Sequence, residues 1–442
     1  MHDLLIRDCH VLRCEPSETT VLRHHDLVVD RGLISAVSPT GTTRPEDCEE
    51  VVEGRGMVAM PGLVDTHAHV PMVIFRGLAE DVSLETWFNE YMWPLESNLR
   101  EDDVYWGMQL GLAELIEGGV TAVADHYFFM DRAAEAVREA GIRAGLGWAV
   151  FGSGGKQGLE RSARFAAEWN GQEDGRITTW MAPHAPYTCD DDFLRQTARE
   201  ADRLGVGIHI HAAETIAQTE ASVARHGRTP IQVLEQTGVL DHRCIVAHGC
   251  GVTEDDIGIL ARSGAGVACA PKTYLKLAMG TTPVLALRRA GVPVGLATDG
   301  AVSNNTLDVW ESMRLMAMVQ KDRAGAPESM TLAETLHVAT RGSAAVYGAP
   351  DKLGHLAPGF AADLILVDIG GAHCQPLHSI PATLVYATRA SDVQTVIVAG
   401  RVLMRDRRLL TLDKREIVRR VSDAMERLQR RVPDKRIQLY EP

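Results

Sequence analysis

From about Met57 to Gly348 the chain alternates short apolar runs with amphipathic stretches. The apolar runs predict strands at Val58–His67, Val120–His126, Ile142–Phe151, Ile177–His184, Val206–His211, Cys244–His248, Gly266–Ala270 and Val292–Thr298. Between them, Asp102–Ile116, Asp192–Leu204, Glu254–Arg262 and Leu307–Gln320 repeat apolar residues three or four apart, the spacing of a helix with one buried face. Alternating strand and helix implies parallel strands, because a parallel pair needs a crossover long enough to hold a helix. Eight such units predict an α/β fold of the (β/α)8 barrel type.

The flanks read differently. Residues 3–55 carry short alternating runs at Leu4–Val11, Asp26–Asp30 and Leu33–Val37, with a hairpin signal at Asp30-Arg31-Gly32. Residues 353–411 repeat that style at Asp363–Asp368, Thr395–Ala399 and Val402–Arg405, turning at Ala399-Gly400-Arg401. Both ends are therefore expected to pair into one small β-sandwich: residues 1–57 its N-terminal part, 58–350 the barrel, and 351–442 its C-terminal part plus a terminal helix. That helix, Asp413–Val432, sets Ile417, Val421, Met425 and Leu428 on one stripe, which favours docking on the body with a solvated outer face.

Composition narrows the function. Lys and Arg number 45 against 59 Asp and Glu, a formal net charge of -14 without a clustered basic patch, which speaks against gripping a nucleic-acid backbone. No apolar run reaches the roughly 18 residues of a membrane-spanning helix, and Met1–Cys14 does not resemble a signal peptide. Eight cysteines without a Cys-x-x-Cys pair read as reduced, mostly buried thiols, which points to the cytoplasm. A homo-oligomer is compatible with all of this.

The candidate chemistry sits at the predicted strand ends. In Pro61-Gly-Leu-Val-Asp65-Thr-His67-Ala-His69 the two histidines are two residues apart and share one face of a strand. His126 ends the second strand, His184 the fourth, His209 and His211 the fifth with Glu214 just beyond, His248 the sixth and Asp299 the eighth. Barrel enzymes place their chemistry at strand C-termini. Imidazole and carboxylate donors converging there suit a zinc ion first, with iron(II) as the alternative.

These residues resemble the amidohydrolase superfamily over nearly the whole chain, up to the Gly354-His-Leu-Ala-Pro-Gly-Phe-Ala-Ala-Asp363 segment. Within it, His211-Ala-Ala-Glu214-Thr215, Pro183-His184-Ala-Pro-Tyr187 and Thr298-Asp-Gly-Ala-Val-Ser303-Asn-Asn305 are similar to the branch of S-adenosylhomocysteine/methylthioadenosine deaminases and triazine hydrolases. The resemblance implies metal ligands His67, His69, His211 and Asp299. The carboxylated lysine that bridges two metals elsewhere in the superfamily has no counterpart in Thr178–His184, so one divalent ion per chain is expected. His209 lies a strand step deeper and reads as a core or supporting histidine. The implied roles are Asp299 taking a proton from a metal-activated water, Glu214 passing it to the ring and the leaving amine, and His248 stabilising developing charge.

The long connection Pro71–Arg100 is expected to act as a lid or binding loop. From it, Trp93 and Glu96 are expected at the substrate, with His184, Ser303 and the rim residue His126. By the resemblance, Glu96 would hold ribose hydroxyls and His184 would lie near the sugar. The arginines that hold an amino-acid tail in relatives fall near Trp148 and Gly158 and are absent. Ala270-Pro-Lys272-Thr-Tyr274-Leu-Lys-Leu277 departs from the family's Asn-Pro-x-Ser-Asn pattern, and Lys272 is either a cation facing an oxo-substituted ring or a surface lysine. The expected activity is metal-dependent hydrolytic deamination of a small amino-substituted N-heterocycle, a nucleoside or a related purine or pterin. The alternative is a triazine-type chlorohydrolase or N-dealkylating enzyme, or another cyclic amidine or amide hydrolase, using the same site.

Overall fold

The computed structural model of the chain describes residues 1–429. The chain makes two sheets. The parallel one runs Leu63–His69, Val120–Tyr127, Arg143–Val150, Ile177–Pro183, Gly207–Ala212, Cys244–His248 and Gly266–Cys269 in chain order. Its eighth strand comes in two pieces, Val294–Leu296 and Asp299–Gly300. The first piece pairs with the seventh strand and the second with the first strand, Asp299 opposite Ala68 and Gly300 opposite His69, which closes the barrel. Helices Glu101–Glu117, Asp191–Leu204, Glu254–Ser263 and Val309–Ala324 stand where their periodicity predicts.

The interruption in the eighth strand has a side-chain cause. Asp65 takes the Thr298 backbone N–H at 3.0 Å and also accepts the Thr298 hydroxyl, so Thr298 leaves the ladder and the next residue swings over the barrel mouth.

One predicted strand is two. Val58–His67 divides at Gly62: Met57–Pro61 belongs to the second sheet and Leu63–His69 to the barrel. Gly62 N–H still bonds Asp363 O, while Leu63 N–H bonds Gly119 O. A Cβ on Gly62 would lie 2.1 Å from the Thr121 hydroxyl, so the changeover is packed too tightly for a side chain.

The second sheet is a single mixed sheet of nine strands from both chain ends. His2–Cys14 pairs with Thr19–Asp30, Cys48–Glu53 and Met57–Pro61, and the last of these pairs with Leu364–Asp368. Val393–Val398, Arg401–Arg405 and Arg408–Leu409 extend one edge, and Leu33–Pro39 forms the other. That edge returns to the C-terminal segment through Ile34 N–H to Phe360 O at 2.9 Å, enclosing a core of Ile6, Val29, Ile34, Leu364 and Ile397. Arg143 donates to Asp363 through Nε and Nη2, at 2.7 and 3.0 Å, and joins this sheet to the barrel. The terminal helix runs Lys414–Gln429 and buries Ile417, Val421 and Leu428; the end of its expected span lies outside the described residues. All eight cysteines are free thiols. Among the described residues no helix is long and apolar enough to cross a membrane.

Candidate active site

Alternation along two strands builds the site in layers. On the first strand His69 is at the rim and His67 below it; on the fifth, His211 is at the rim and His209 below. His69 Nε2 lies 3.3 Å from His211 Nε2. Asp299 Oδ1, swung inward from the broken eighth strand, lies 3.3 Å from His69 Nε2 and 3.5 Å from His67 Nε2. Donors bonded at 2.0–2.1 Å to one tetrahedral ion stand about 3.3 Å apart. The spacing here therefore fits a single ion, and the buried His67 Nε2 has no hydrogen-bond partner among the described residues. His248 shares the group with His67 and Asp299. A separate trio, His373, Cys374 and Asp392, fits less well, since His373 Nε2 and Asp392 Oδ2 are already hydrogen-bonded at 2.7 Å.

Electrostatics sort these groups. Burial opposes the Asp299 charge, but His67 and His69 outweigh it and hold the carboxyl well below its ordinary range. Burial likewise opposes a charge on His69, yet the Asp299 carboxylate carries it up to about 9. Burial takes His248 down to about 3, leaving a neutral imidazole. Glu214 moves the other way: burial pushes it up to about 7 against the Tyr187 and Gln218 hydrogen bonds that favour its anion. A carboxyl titrating near neutrality can both give and take a proton at working pH.

The backbone is strained where these groups are presented. His248, Asp299 and Ala213, the residue before Glu214, adopt φ of 80°, 60° and 50°. Left-handed conformations at non-glycine residues cost about 1–3 kcal/mol each and persist where surrounding structure imposes them.

Above this floor opens a cleft lined by His69, His126, His184, His211, Glu214, His248, Asp299 and Ser303 on the barrel side. The Pro71–Arg100 connection supplies its roof through Leu84, Trp87, Phe88, Trp93 and Glu96, folded into short helical turns. Glu96 is buried and raised to about 7 by desolvation, against the Tyr127 hydroxyl and the His69 charge. His184 stacks on Phe151 with ring centroids 4.4 Å apart. No lysine or arginine lines this cleft among the described residues. An adjoining groove shares Phe128, Ala149 and Phe151 with it and carries Arg161, which lies over the Trp148 ring.

Lys272 requires a correction. It does not line the cleft: its ammonium pairs with Glu311 at 2.6 Å and Thr306 at 3.0 Å, so its charge is already neutralised away from the cleft. Its neighbours Thr273 and Leu277 line the cleft instead, being on the opposite side of a short helical turn. Sequence reasoning placed Asp65 and Tyr187 in motifs but assigned them no part. Tyr127 was missed altogether, although it follows the rim residue His126 directly.

The family model described as the amidohydrolase family matches residues 58–403. The chain belongs to the amidohydrolase family. It is a hydrolase acting on C–N bonds. It is 42% identical over 422 residues to the 5-methylthioadenosine/S-adenosylhomocysteine deaminase of Pelotomaculum thermopropionicum, covering 95% of this chain and 97% of that one. It is 37% identical over 436 residues to the 5'-deoxyadenosine deaminase of Methanosarcina barkeri, covering 98% and 100%. Among solved structures, a Xanthomonas campestris adenosine deaminase with bound zinc superposes with a TM-score of 0.91 at 33% identity, covering 97% and 99% of the two chains. Amidohydrolases are typically metal-dependent, in keeping with the candidate donor set of this chain.

Proposed function

We propose that this amidohydrolase replaces the exocyclic amine of an adenosine-type nucleoside with oxygen from water and releases ammonia. The observation that carries the reading is the meeting, in one cleft, of metal-spaced donors with a carboxyl held near neutrality, Glu214. His67, His69, His211 and Asp299 would hold one divalent ion, zinc first with iron(II) as the alternative. When bound, such an ion supplies Lewis acidity and lowers the pKa of a coordinated water toward about 7.

The chain's own residues do the rest. Asp299, ionised at the start, takes the proton that the attacking water gives up and passes it to the exocyclic amine. The C–N bond of that amine then breaks to release ammonia, while the remaining hydroxyl proton returns to Glu214 as the carbonyl forms. Glu214, protonated near neutrality, delivers its proton to the ring nitrogen beside the amine, which makes the ring carbon electrophilic. Neutral His248 faces the same point and stabilises charge developing there. Glu96 and His184, at the roof and the far wall, take the ribose. The cleft's Leu84, Phe88, Phe128 and Phe151 suit a neutral, apolar 5′ substituent, as in methylthioadenosine or 5′-deoxyadenosine. A zwitterionic tail buried there without partners would cost several kcal/mol, on the order of 2–7 per unpaired polar group.

The test compares kcat/KM for methylthioadenosine, 5′-deoxyadenosine, adenosine, S-adenosylhomocysteine, free oxo-purines and a chlorotriazine, following ammonia and chloride. A neutral 5′-modified nucleoside is expected to lead. A free base in the lead removes the ribose role of Glu96, and chloride release in place of ammonia overturns the deaminase reading. S-adenosylhomocysteine in the lead would overturn the apolar 5′ assignment and implicate the groove at Arg161.

A further inference from the structure

Each of the three histidines that present Nε2 to the candidate ion has its other ring nitrogen engaged, but the partners are not equivalent. His69 Nδ1 lies 2.6 Å from the backbone carbonyl of His126, and His211 Nδ1 lies 2.8 Å from that of His184. A carbonyl can only accept, so it fixes the proton on Nδ1 and leaves the Nε2 lone pair free for a metal. His67 Nδ1 instead lies 2.8 Å from His209 Nε2. An imidazole nitrogen can be donor or acceptor, so this contact permits two arrangements. If His209 donates, His67 carries its proton on Nε2 and cannot ligate. If His209 accepts, His67 presents a bare Nε2 toward Asp299 Oδ1, 3.5 Å away.

The second arrangement has a visible price. An accepting His209 keeps its own proton on Nδ1, and that atom is buried without a hydrogen-bond partner among the described residues. Its surroundings are rings: His67 at 4.9 Å, His126 at 5.4 Å and Trp180 at 6.4 Å between centroids. A histidine serving the core alone would be better replaced there by an apolar side chain, since nothing compensates the unpaired N–H. A polar residue kept at a stability cost in direct contact with a ligand histidine implies a role toward that ligand.

We propose that His209 is a positioning residue for the metal: by accepting from His67 Nδ1 it selects the one His67 tautomer that can bind the ion and holds its ring in place. The inference rests on the single-ion reading above. Among the three ligand histidines, His67 is the one whose competence depends on a side chain, so a substitution can uncouple it without touching a ligand or the cleft.

The experiment measures zinc affinity of the full chain by competition with a chelator, together with the melting temperature of metal-stripped protein. His209→Leu removes the acceptor and is expected to weaken zinc binding about 10- to 100-fold, the usual effect of losing such a partner. The stripped protein should melt close to wild type, because the unpaired N–H of residue 209 is gone while His67 Nδ1 is left without its partner. His209→Gln places an amide oxygen near the position of Nε2 and should stay within about threefold of wild-type affinity. His209→Asn, equally polar but too short to reach His67, should behave like His209→Leu and serves if the leucine variant does not fold. Wild-type affinity in both the Leu and Asn variants overturns the proposal, as does equal weakening in Gln and Asn. A wild-type chain that binds no zinc or iron(II) would instead overturn the single-ion reading, so the two failures are distinct.

Discussion

The Ser303 hydroxyl donates to Asp299 Oδ2 at 2.8 Å, on the opposite side of the carboxylate from the oxygen that faces His67 and His69. The two oxygens of Asp299 therefore serve differently, with Oδ1 aimed at the metal position and Oδ2 held by a hydroxyl one helical turn along the chain. Ser303→Ala should leave the fold intact and free the carboxylate to rotate. A fall in kcat of about tenfold is expected, from loss of a charge-assisted bond of about 1.5 kcal/mol, with zinc content retained. Unchanged kcat in the variant would remove Ser303 from the machinery.

Glu214 has its carboxyl held by Tyr187 and Gln218, and its backbone N–H donates to Gln218 Oε1 at 3.1 Å. Glutamine can keep those contacts but cannot move a proton. Glu214→Gln is expected to retain the metal and lose about 10²–10⁴ in kcat, the usual worth of a general acid–base group. Metal analysis beside turnover separates this outcome from a disturbed ligand set.

Glu96 makes stability depend on pH in a defined direction. Its carboxyl titrates near 4.5 when free and at about 7 in the fold, because burial disfavours its charge. The folded state therefore binds this proton more tightly, and the stabilisation is complete below about 4.5 and lost as pH rises through 7. Between pH 5.5 and 8.5 this one group should cost the metal-stripped protein about 2 kcal/mol. Glu96→Gln removes that dependence, so denaturant titrations at the two pH values should show a correspondingly smaller drop. An identical drop in the variant would place the pH response elsewhere.

The roof of the cleft is tied to the barrel at Glu80, whose carboxylate meets Lys276 Nζ at 2.8 Å and the Asn305 amide at 2.8 Å. Lys276 extends from the helical turn after the seventh strand, so the roof is anchored to the barrel by a partly exposed ion pair. Such pairs contribute about 0.2–1 kcal/mol. Lys276→Met should raise KM about two- to fivefold with kcat changed less, and combining it with Glu80→Gln should add little further. Full additivity in that double-mutant cycle would show that the pair does not hold the roof.

Much of this site is legible in the chain because its ligands sit at strand ends. A period of two residues puts His67 with His69 and His209 with His211, and strand–helix alternation assembles their strands into one parallel barrel whose C-terminal rim they share. Short-range pattern also separates the β-rich ends from the barrel. What it could not supply is every relation that depends on contacts across the fold. Val58–His67 reads as one apolar run, yet it divides at Gly62 because Thr121 and Asp363, remote in sequence, set where its hydrogen bonds change partners. Lys272 has the right position for a substrate contact and the wrong direction, decided by Glu311 on a later helix. Asp299 reaches the metal position because Asp65, 233 residues before Thr298, draws that threonine out of the ladder. The amino-acid sequence by itself determined the barrel and the rim on which the candidate groups lie. Only the tertiary structure decided which ring nitrogens converge, which carboxyl is raised toward neutrality and which charge is already paired, since ring orientation, desolvation and pairing are properties of neighbours brought together by the fold.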